Sequence, residues 1–419
     1  MTKEENYLLT RTGPGTPCGE LMRRYWQPVA LSEETPPGGA PLPVMLLGEE
    51  LVLFRDDQGR LGLLRLHCSH RGADLSYGRV EDGGLRCIYH GWLYDIRGRC
   101  LDQPGEPGGG AHRDQIRHPA YPCHEQAGVI FAYLGPGEPP LFPNVEFLNA
   151  PEEYRGAGKY FHDCNYLQAN EGNIDLSHLS FLHYLERNPE QSDKDLSRRG
   201  EAPAEETADA ELTRFGVRSC KIRRDMGPDR YNLYITDFVV PNFTVHWGNI
   251  ATGRLGYSVN WHVPIDDTRH WKYMFTVRRD RPLDEQEALR WRVGAAADYR
   301  FQQNKSNRYL QDRATMKREV YTGLGLSFPL HDAWATEGQG PIQDREREHL
   351  VTMDKAIVAA RKLMLKAIRD VEEGRDPQNV VRDAKANRFP VITTAEAIPS
   401  SKDWREYCKE LEAIAEARL

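Results

Sequence analysis

Cys68-Ser69-His70-Arg71-Gly72 and, after a short spacer, Cys87-Ile88-Tyr89-His90-Gly91 decide how this chain is read. Each stretch offers one thiol and one imidazole, so Cys68, His70, Cys87 and His90 supply two donors of each kind from two short loops. A [2Fe–2S] centre in which two histidines replace two cysteines takes this set, with Cys68 and Cys87 on one iron and His70 and His90 on the other. A structural zinc site is the rival reading, but zinc modules commonly open with a cysteine pair and close with a histidine pair. Here each loop mixes the two kinds, which suits a two-iron cluster better. The chain is read as one that handles electrons.

Around these loops the sequence has the texture of a small all-β unit. Short apolar runs at Val44–Leu47, Leu51–Phe54 and Leu61–Leu64 alternate with turns at Asp57–Arg60 and Asp95–Gly98 and a glycine-rich stretch at 104–110. Gly128–Leu134, the longest apolar run, has the length of one buried strand, and Gly135–Pro140 reads as a linker. Upstream, Thr16 as N-cap and Pro17 at the first helical position predict a helix over 14–27, with Leu21, Met22, Tyr25 and Trp26 on its apolar face. Downstream, a helical segment is expected near 165–184, then a charged flap or inter-strand loop at 186–210. Strands follow over 211–279, notably Arg230–Val240 and Tyr257–Val263, and helical runs at about 283–318 and 342–373 close the chain. No internal repeat is present.

With 419 residues, two domains are the prior expectation. A formal net charge of −7 and the lack of any basic run argue against a nucleic-acid partner. Neither a signal-peptide h-region nor an apolar stretch of membrane-spanning length is seen, so no membrane partner is expected. The remaining cysteines (Cys18, Cys100, Cys123, Cys164, Cys220, Cys408) lack the dense spacing of a secreted scaffold and read as free thiols of a cytoplasmic protein.

The other concentration of chemistry is Glu171-Gly-Asn173-Ile-Asp175-Leu-Ser-His178-Leu-Ser-Phe181-Leu-His183. Two imidazoles need one carboxylate to complete a 2-His-1-carboxylate facial triad, which leaves positions open on Fe(II). Helical neighbours are three or four residues apart, so histidines five apart predict a distorted helix or a helix end. Alone, the pair reads as readily as two surface histidines on a helix. The cluster motif beside it turns the reading towards iron.

Together the two motifs resemble the Rieske non-haem iron oxygenases, the terminal oxygenase components of aromatic-ring-hydroxylating systems. The likeness covers nearly the whole chain. Its flanks, Thr10-Arg-Thr-Gly-Pro-Gly-Thr-Pro17 and Gly340-Pro-Ile-Gln-Asp-Arg-Glu-Arg-Glu-His-Leu350, are most similar to the phthalate dioxygenase and phenoxybenzoate dioxygenase branch. The resemblance implies an α+β chain: an all-β Rieske domain, then a catalytic domain with an antiparallel sheet and flanking helices of the helix-grip, START-like kind. Expected boundaries are an N-terminal helical segment at 1–39 packing on the catalytic domain, the cluster domain at 40–140 and the catalytic domain at 141–419. The implied cofactors are a [2Fe–2S] cluster and Fe(II), and the implied assembly is a homotrimer or trimers stacked into a hexamer.

In the family the third iron ligand is an aspartate far downstream. Asp332, in Leu330-His-Asp-Ala-Trp-Ala-Thr-Glu337 at the mouth of the last long helix, fits best; Asp344 and Asp312 are rivals, and a helix-dipole acid is the plain alternative. The resemblance makes Asp175 an electron bridge between a cluster histidine of a neighbouring subunit and an iron-bound histidine, a role that suits a carboxylate next to a ligand imidazole. Ala73 and Tyr89 stand where respiratory Rieske proteins carry a disulfide clamp. Neither a Gly-x-Gly-x-x-Gly after a strand nor a Walker A occurs, so electrons are expected from a separate NAD(P)H-dependent flavin or iron–sulfur reductase.

Candidate pocket residues are Asn173, Phe181, Asn242, Phe243, His246 and Trp247, with Arg218, Arg254 or Arg278 as a carboxylate clamp. By resemblance the substrate is an aromatic carboxylate, oxidised with O2. The motifs do not separate dihydroxylation from O-demethylation or ring monohydroxylation. A Rieske electron carrier and a zinc-stabilised binding module are the readings from other classes.

Overall fold

A computed structural model describes residues 1–110, 112–183, 206–224, 229–249, 253–289, 298–316, 319–389 and 398–416. The α+β architecture is as expected: an all-β unit carrying the cluster motif, followed by a large antiparallel sheet with helices. Among the described residues no helix is long and apolar enough to cross a membrane, and the cysteines are free.

In the first unit, the strands Leu42–Leu46, Glu49–Arg55 and Leu61–Arg65 form a meander completed by Ala120–Tyr121. The turn between the last two long strands is held by Asp56, whose Oδ1 accepts from the backbone N–H of Gln58 at 3.0 Å and of Arg60 at 2.7 Å. Asp95 repeats this device, taking the N–H groups of Arg97 at 2.9 Å and Arg99 at 2.8 Å. That second turn belongs to a sheet of short hairpins, Arg79–Glu81, Gly84–Arg86, Leu93–Asp95 and Cys100–Asp102.

Several local expectations need correction. The helix expected over 14–27 covers only Pro17–Met22, with Thr16 as its N-cap, because Gln27–Leu31 pairs as a strand with Val129–Ala132. The segment 1–39 is therefore not wholly helical, and it starts with an unforeseen helix, Lys3–Thr10, closed by a Thr2/Glu5 capping box. Of the charged stretch 186–210, residues 186–205 lie outside the described residues and Glu206–Leu212 is a strand. The run at 283–318 is α-helical only at Glu285–Leu289 among its described residues, with a distorted 3-10 turn at Lys305–Leu310. Asp298 and Asp312 there capture the N–H groups of Arg300 and Ala314, which breaks helical propagation, while Asn304 caps only the short 3-10 turn through the Ser306 N–H. The run at 342–373 is an α-helix only from Lys355 to Glu372, preceded by short 3-10 turns at Arg345–Arg347 and Thr352–Asp354, and the helices Phe328–Glu337 and Trp404–Glu416 were not anticipated.

The large sheet runs Arg155–His162, Arg269–Arg278, Gly253–Asp266, Phe243–Asn249, Arg230–Val239, Gly216–Arg223 and Glu206–Leu212, each antiparallel to the next. Its two faces differ in chemistry. One face of the paired strands Gly253–Asp266 and Arg269–Arg278 carries Tyr257, Val259, Trp261 and Val263 opposite Tyr273, Phe275 and Val277, all in the main core. The other face carries Ser258, Asn260 and His262 beside His270 and Lys272, and these polar groups are buried too. The helix Tyr166–Ile174 covers that polar face, with Ser219 donating to the carbonyl of Ile174 at 3.1 Å.

Candidate metal centres

The two cluster loops are built alike. In each, the residue four after the cysteine is a left-handed glycine whose N–H returns to the cysteine carbonyl: Gly72 (φ +73°) to Cys68 at 2.8 Å, and Gly91 (φ +78°) to Cys87 at 2.9 Å. A Cβ on Gly91 would stand 2.6 Å from Pro104. The loops place the Cys68 and Cys87 thiols inside, facing one another, and the rings of His70 and His90 at the outer edge with centroids 4.5 Å apart. Trp92 stacks on His70 at 4.5 Å, and the Tyr94 hydroxyl lies 3.2 Å from Cys68 Sγ. Two inner thiols and two outer imidazoles fit a [2Fe–2S] cluster with one iron of each kind.

The second centre forms where the helix Tyr166–Ile174 stops. Asp175 caps that helix in an extended conformation, and a tight turn at His178–Ser180 takes the chain on to His183. This is the helix end that the five-residue spacing predicted. His178 donates from Nδ1 to the carbonyl of Asp175, which leaves its Nε2 lone pair free. His183 reaches the same state by a longer route. His331 donates from Nε2 to the Gly325 carbonyl at 2.8 Å, so its Nδ1 accepts from His183 Nδ1 at 3.3 Å. Both free Nε2 atoms face Asp332 Oδ1, at 3.0 Å from His183 and 3.9 Å from His178. Donor atoms of these three residues lie within 4.8 Å of one another, a group suited to one metal ion.

The rivals of Asp332 stand elsewhere. Asp344 accepts from the Glu346 N–H at 3.2 Å and pairs with Arg347, and Asp312 is turned to the Ala314 N–H. Asp332 lies in the first half of its own helix, Phe328–Glu337, rather than at the mouth of the last long one.

Residues 25–120 match the Rieske [2Fe-2S] domain family, and residues 132–418 match the family described as LigXa C-terminal domain like. Over 97% of its length the chain is 36% identical to the phthalate 4,5-dioxygenase oxygenase subunit of Pseudomonas putida, of which it covers 94%. The chain belongs to the Rieske non-haem iron oxygenases. It is also 33% identical, over 94% of its length and 87% of the relative's, to the 5,5'-dehydrodivanillate O-demethylase oxygenase subunit of Sphingobium sp. strain SYK-6. Its fold is shared by a singly substituted oxygenase in the oxygenase–ferredoxin complex of carbazole 1,9a-dioxygenase, with a TM-score of 0.56 at 20% identity over 88% of this chain and 93% of that one. As a Rieske terminal oxygenase of the aromatic-ring-hydroxylating type, the chain is an oxidoreductase that incorporates O2, and its cofactors are a [2Fe–2S] cluster and a mononuclear Fe(II). Family membership sets aside the electron-carrier and zinc-module readings.

Within this Rieske oxygenase the expected pocket residues scatter. His246 lies on the polar face and Asn173 is buried above it, while Phe181 sits on the ligand turn, 54% exposed. Trp247 lies on the opposite face, where it donates to Asp237 at 2.8 Å. Asn242 and Phe243 belong to the core, Asn242 donating to Gln27 and to the His262 carbonyl. Arg218 is taken by Asp237 and Glu412, and Arg278 by Asp280 and Glu287, so neither is free to clamp a carboxylate; the side chain of Arg254 lies outside the described residues. Residue reading missed Lys272, whose Nζ is 3.6 Å from Asp332 Oδ2, and His331, Asn260, His262 and His270. For the four strand residues the one signal is a strict polar–apolar alternation along Ser258–Val263 and His270–Tyr273, and His331 is marked only by standing beside Asp332.

Proposed function

We propose that this chain is the terminal oxygenase of a multicomponent system that hydroxylates an aromatic carboxylate, with cis-dihydroxylation as the reaction. The observation that carries the reading is the convergence of His178, His183 and Asp332 beside a buried ammonium, Lys272, whose side chain is 2% exposed. His178, His183 and Asp332 hold Fe(II); Cys68, His70, Cys87 and His90 hold the cluster. Bound Fe(II) supplies O2 activation, since a facial triad leaves coordination positions open. Once the metal neutralises Asp332, Lys272 needs another anion nearby, and the carboxylate of the substrate provides it. The phthalate named in the relative at 36% identity supports the same substrate class.

Electrons come from a separate NAD(P)H-dependent flavin or iron–sulfur reductase, directly or through a carrier like the ferredoxin bound to the carbazole dioxygenase oxygenase. In a homotrimer, or trimers stacked as a hexamer, the Asp175 carboxylate joins a cluster histidine of one subunit to His178 of the next. Its Oδ1 already accepts from the Ser177 N–H at 2.9 Å, which fixes its rotamer. The system operates in the cytoplasm, where NAD(P)H is supplied.

The test is O2 uptake with a surrogate reductase over phthalate, phenoxybenzoate and methoxybenzoates, with product analysis. A cis-diol supports the reading. Formaldehyde from the methoxy acids would assign O-demethylation instead, the activity named for the Sphingobium relative. Uptake with neutral aromatics alone would remove the carboxylate. Asp175→Asn should keep both metals and the trimer yet transfer electrons between them slowly; near-normal turnover would remove the bridge.

A further inference from the structure

Six side chains that hold no metal, five of them buried and His246 half-buried, form one unbroken hydrogen-bonded row across the polar face of the sheet. It begins at a group with no choice of role, because the carbonyl oxygen of Cys164 only accepts. His270 Nδ1 lies 2.8 Å from it, so Nδ1 carries the hydrogen and Nε2 of the neutral ring accepts. His262 Nδ1, 3.1 Å away, therefore donates, which leaves His262 Nε2 as an acceptor. Asn173 meets that acceptor with its Nδ2 at 2.5 Å and turns its carboxamide oxygen to Asn260 Nδ2 at 3.1 Å. The same Asn260 nitrogen lies 3.0 Å from His246 Nε2, so His246 donates from Nδ1 to Thr236 Oγ1 at 3.1 Å. Each assignment follows from the one before. The row needs neutral rings throughout, and burial supplies them: His262 is pushed well below its ordinary value, and His270 and His246 to about 3.

We infer that this row is a positioning device in which the Cys164 carbonyl, through His270 and His262, fixes the orientation of Asn173 and thereby the end of the ligand helix. Asn173 is the last residue but one of the helix Tyr166–Ile174. The next residue after that helix, Asp175, provides the carbonyl that orients the His178 ring. A displaced Asn173 therefore moves both the bridging carboxylate and the His178 ring, so the inference rests on the roles proposed for those two residues. The polarity of the row matters more than its shape, since one reversed member sets two acceptors or two donors face to face.

Two variants separate polarity from shape. Asn173→Asp keeps the size of the side chain but has no hydrogen for His262 Nε2. His262→Gln loses the ring yet keeps the polarity, with Oε1 accepting from Asn173 and Nε2 donating to His270. Single-turnover electron transfer from the reduced cluster to substrate in the holoenzyme should fall at least about tenfold further in N173D than in H262Q, with cluster spectrum and iron content kept in both. Equal losses, or a greater loss in H262Q, would overturn the inference in favour of simple packing. A neutron structure of the wild-type holoenzyme decides independently, even where a variant fails to fold: hydrogens on Nδ1 alone of His262 and His270 are expected, and Nε2–H or doubly protonated rings overturn the row. Absence of mononuclear iron from the wild type would instead sink the proposed iron site, leaving the hydrogen positions to judge the row.

Discussion

The two metal centres proposed for this chain are built by opposite means. Each cluster loop carries its own geometry, because a left-handed glycine returns its N–H to the ligand cysteine and closes the loop within five residues. The proposed iron triad draws its residues from the end of one helix and the body of another. Its histidines are aimed by a backbone carbonyl at Asp175 and by His331, itself held by Gly325. A centre of the first kind depends on covalent neighbours. A centre of the second kind inherits the state of everything that packs the helix and sheet together. Substitutions far from iron should therefore reach the triad, while the cluster should answer mainly to its own loops.

Ligand removal should give the largest effects and the sharpest split. His90→Ala should abolish the visible cluster spectrum and loosen the small β unit, since the cluster ties its two loops together. Asp332→Ala should leave that spectrum intact, reduce iron by the single mononuclear ion and end turnover. Metal analysis beside optical spectra reads both. If Asp332→Ala keeps its mononuclear iron while Asp344→Ala loses it, the third ligand has been misassigned.

A smaller but still substantial effect is expected at Glu171, which is buried between Arg345 and Arg361 with N–O distances of 2.7 and 2.6 Å. Arg361 also holds Glu348, and Arg345 reaches Asn6, so this cluster ties the helix Tyr166–Ile174 to the helix Lys355–Glu372 and the N-terminal segment. Burial would raise the Glu171 carboxyl, but the two guanidiniums prevail and lower it below its usual value. Its contribution to stability is thus fully present above the unfolded glutamate value of about 4.3 and is lost as pH falls through the depressed folded value. Glu171→Gln leaves the buried Arg345 without a carboxylate and Arg361 with Glu348 alone, and should cost about 3–5 kcal/mol near neutral pH. It should also flatten the acid limb of a stability–pH curve. The cluster spectrum should outlast iron binding during unfolding of this variant; simultaneous loss of both would contradict the division between the centres.

What the sequence disclosed follows the same division. Cys68, His70, Cys87 and His90 could be proposed as cluster ligands from sequence because five consecutive residues specify each loop. His178 and His183 were legible as a pair, and their spacing foretold the helix end. Asp332 came from family resemblance, because nothing in its own neighbourhood distinguishes it from Asp344. Lys272 and His262 were hidden by a pattern with a familiar meaning: alternation along a strand reads as one face in water. Here the ligand helix covers the polar face, so the alternating residues are a buried hydrogen-bonded wall. Period two also explains the error at Trp247, which the pleat turns away from its neighbour His246. The helical run expected over 283–318 failed where Asp side chains took the backbone N–H groups.

The smallest predicted effect tests whether the cluster is tuned as locally as it is built. Tyr94 is fully buried on a strand of the hairpin that leaves the second loop, and its hydroxyl lies 3.2 Å from Cys68 Sγ. Burial beside the Cys68 sulfur pushes the phenol far above its ordinary value, so it remains protonated and donates to the ligand thiolate. A donated hydrogen bond stabilises the reduced, more negative cluster more than the oxidised one. Tyr94→Phe removes that bond and little volume. Taking one such bond as about 1 kcal/mol, the midpoint potential should fall by about 40 mV. Iron content should stay unchanged, and substrate affinity of the oxidised enzyme should not move, because the triad shares no residue with this hairpin. Spectroelectrochemistry reads the potential directly. An unchanged midpoint would mean that the hydroxyl serves packing alone; a shift accompanied by lost mononuclear iron would show that the two centres are less separate than their construction implies.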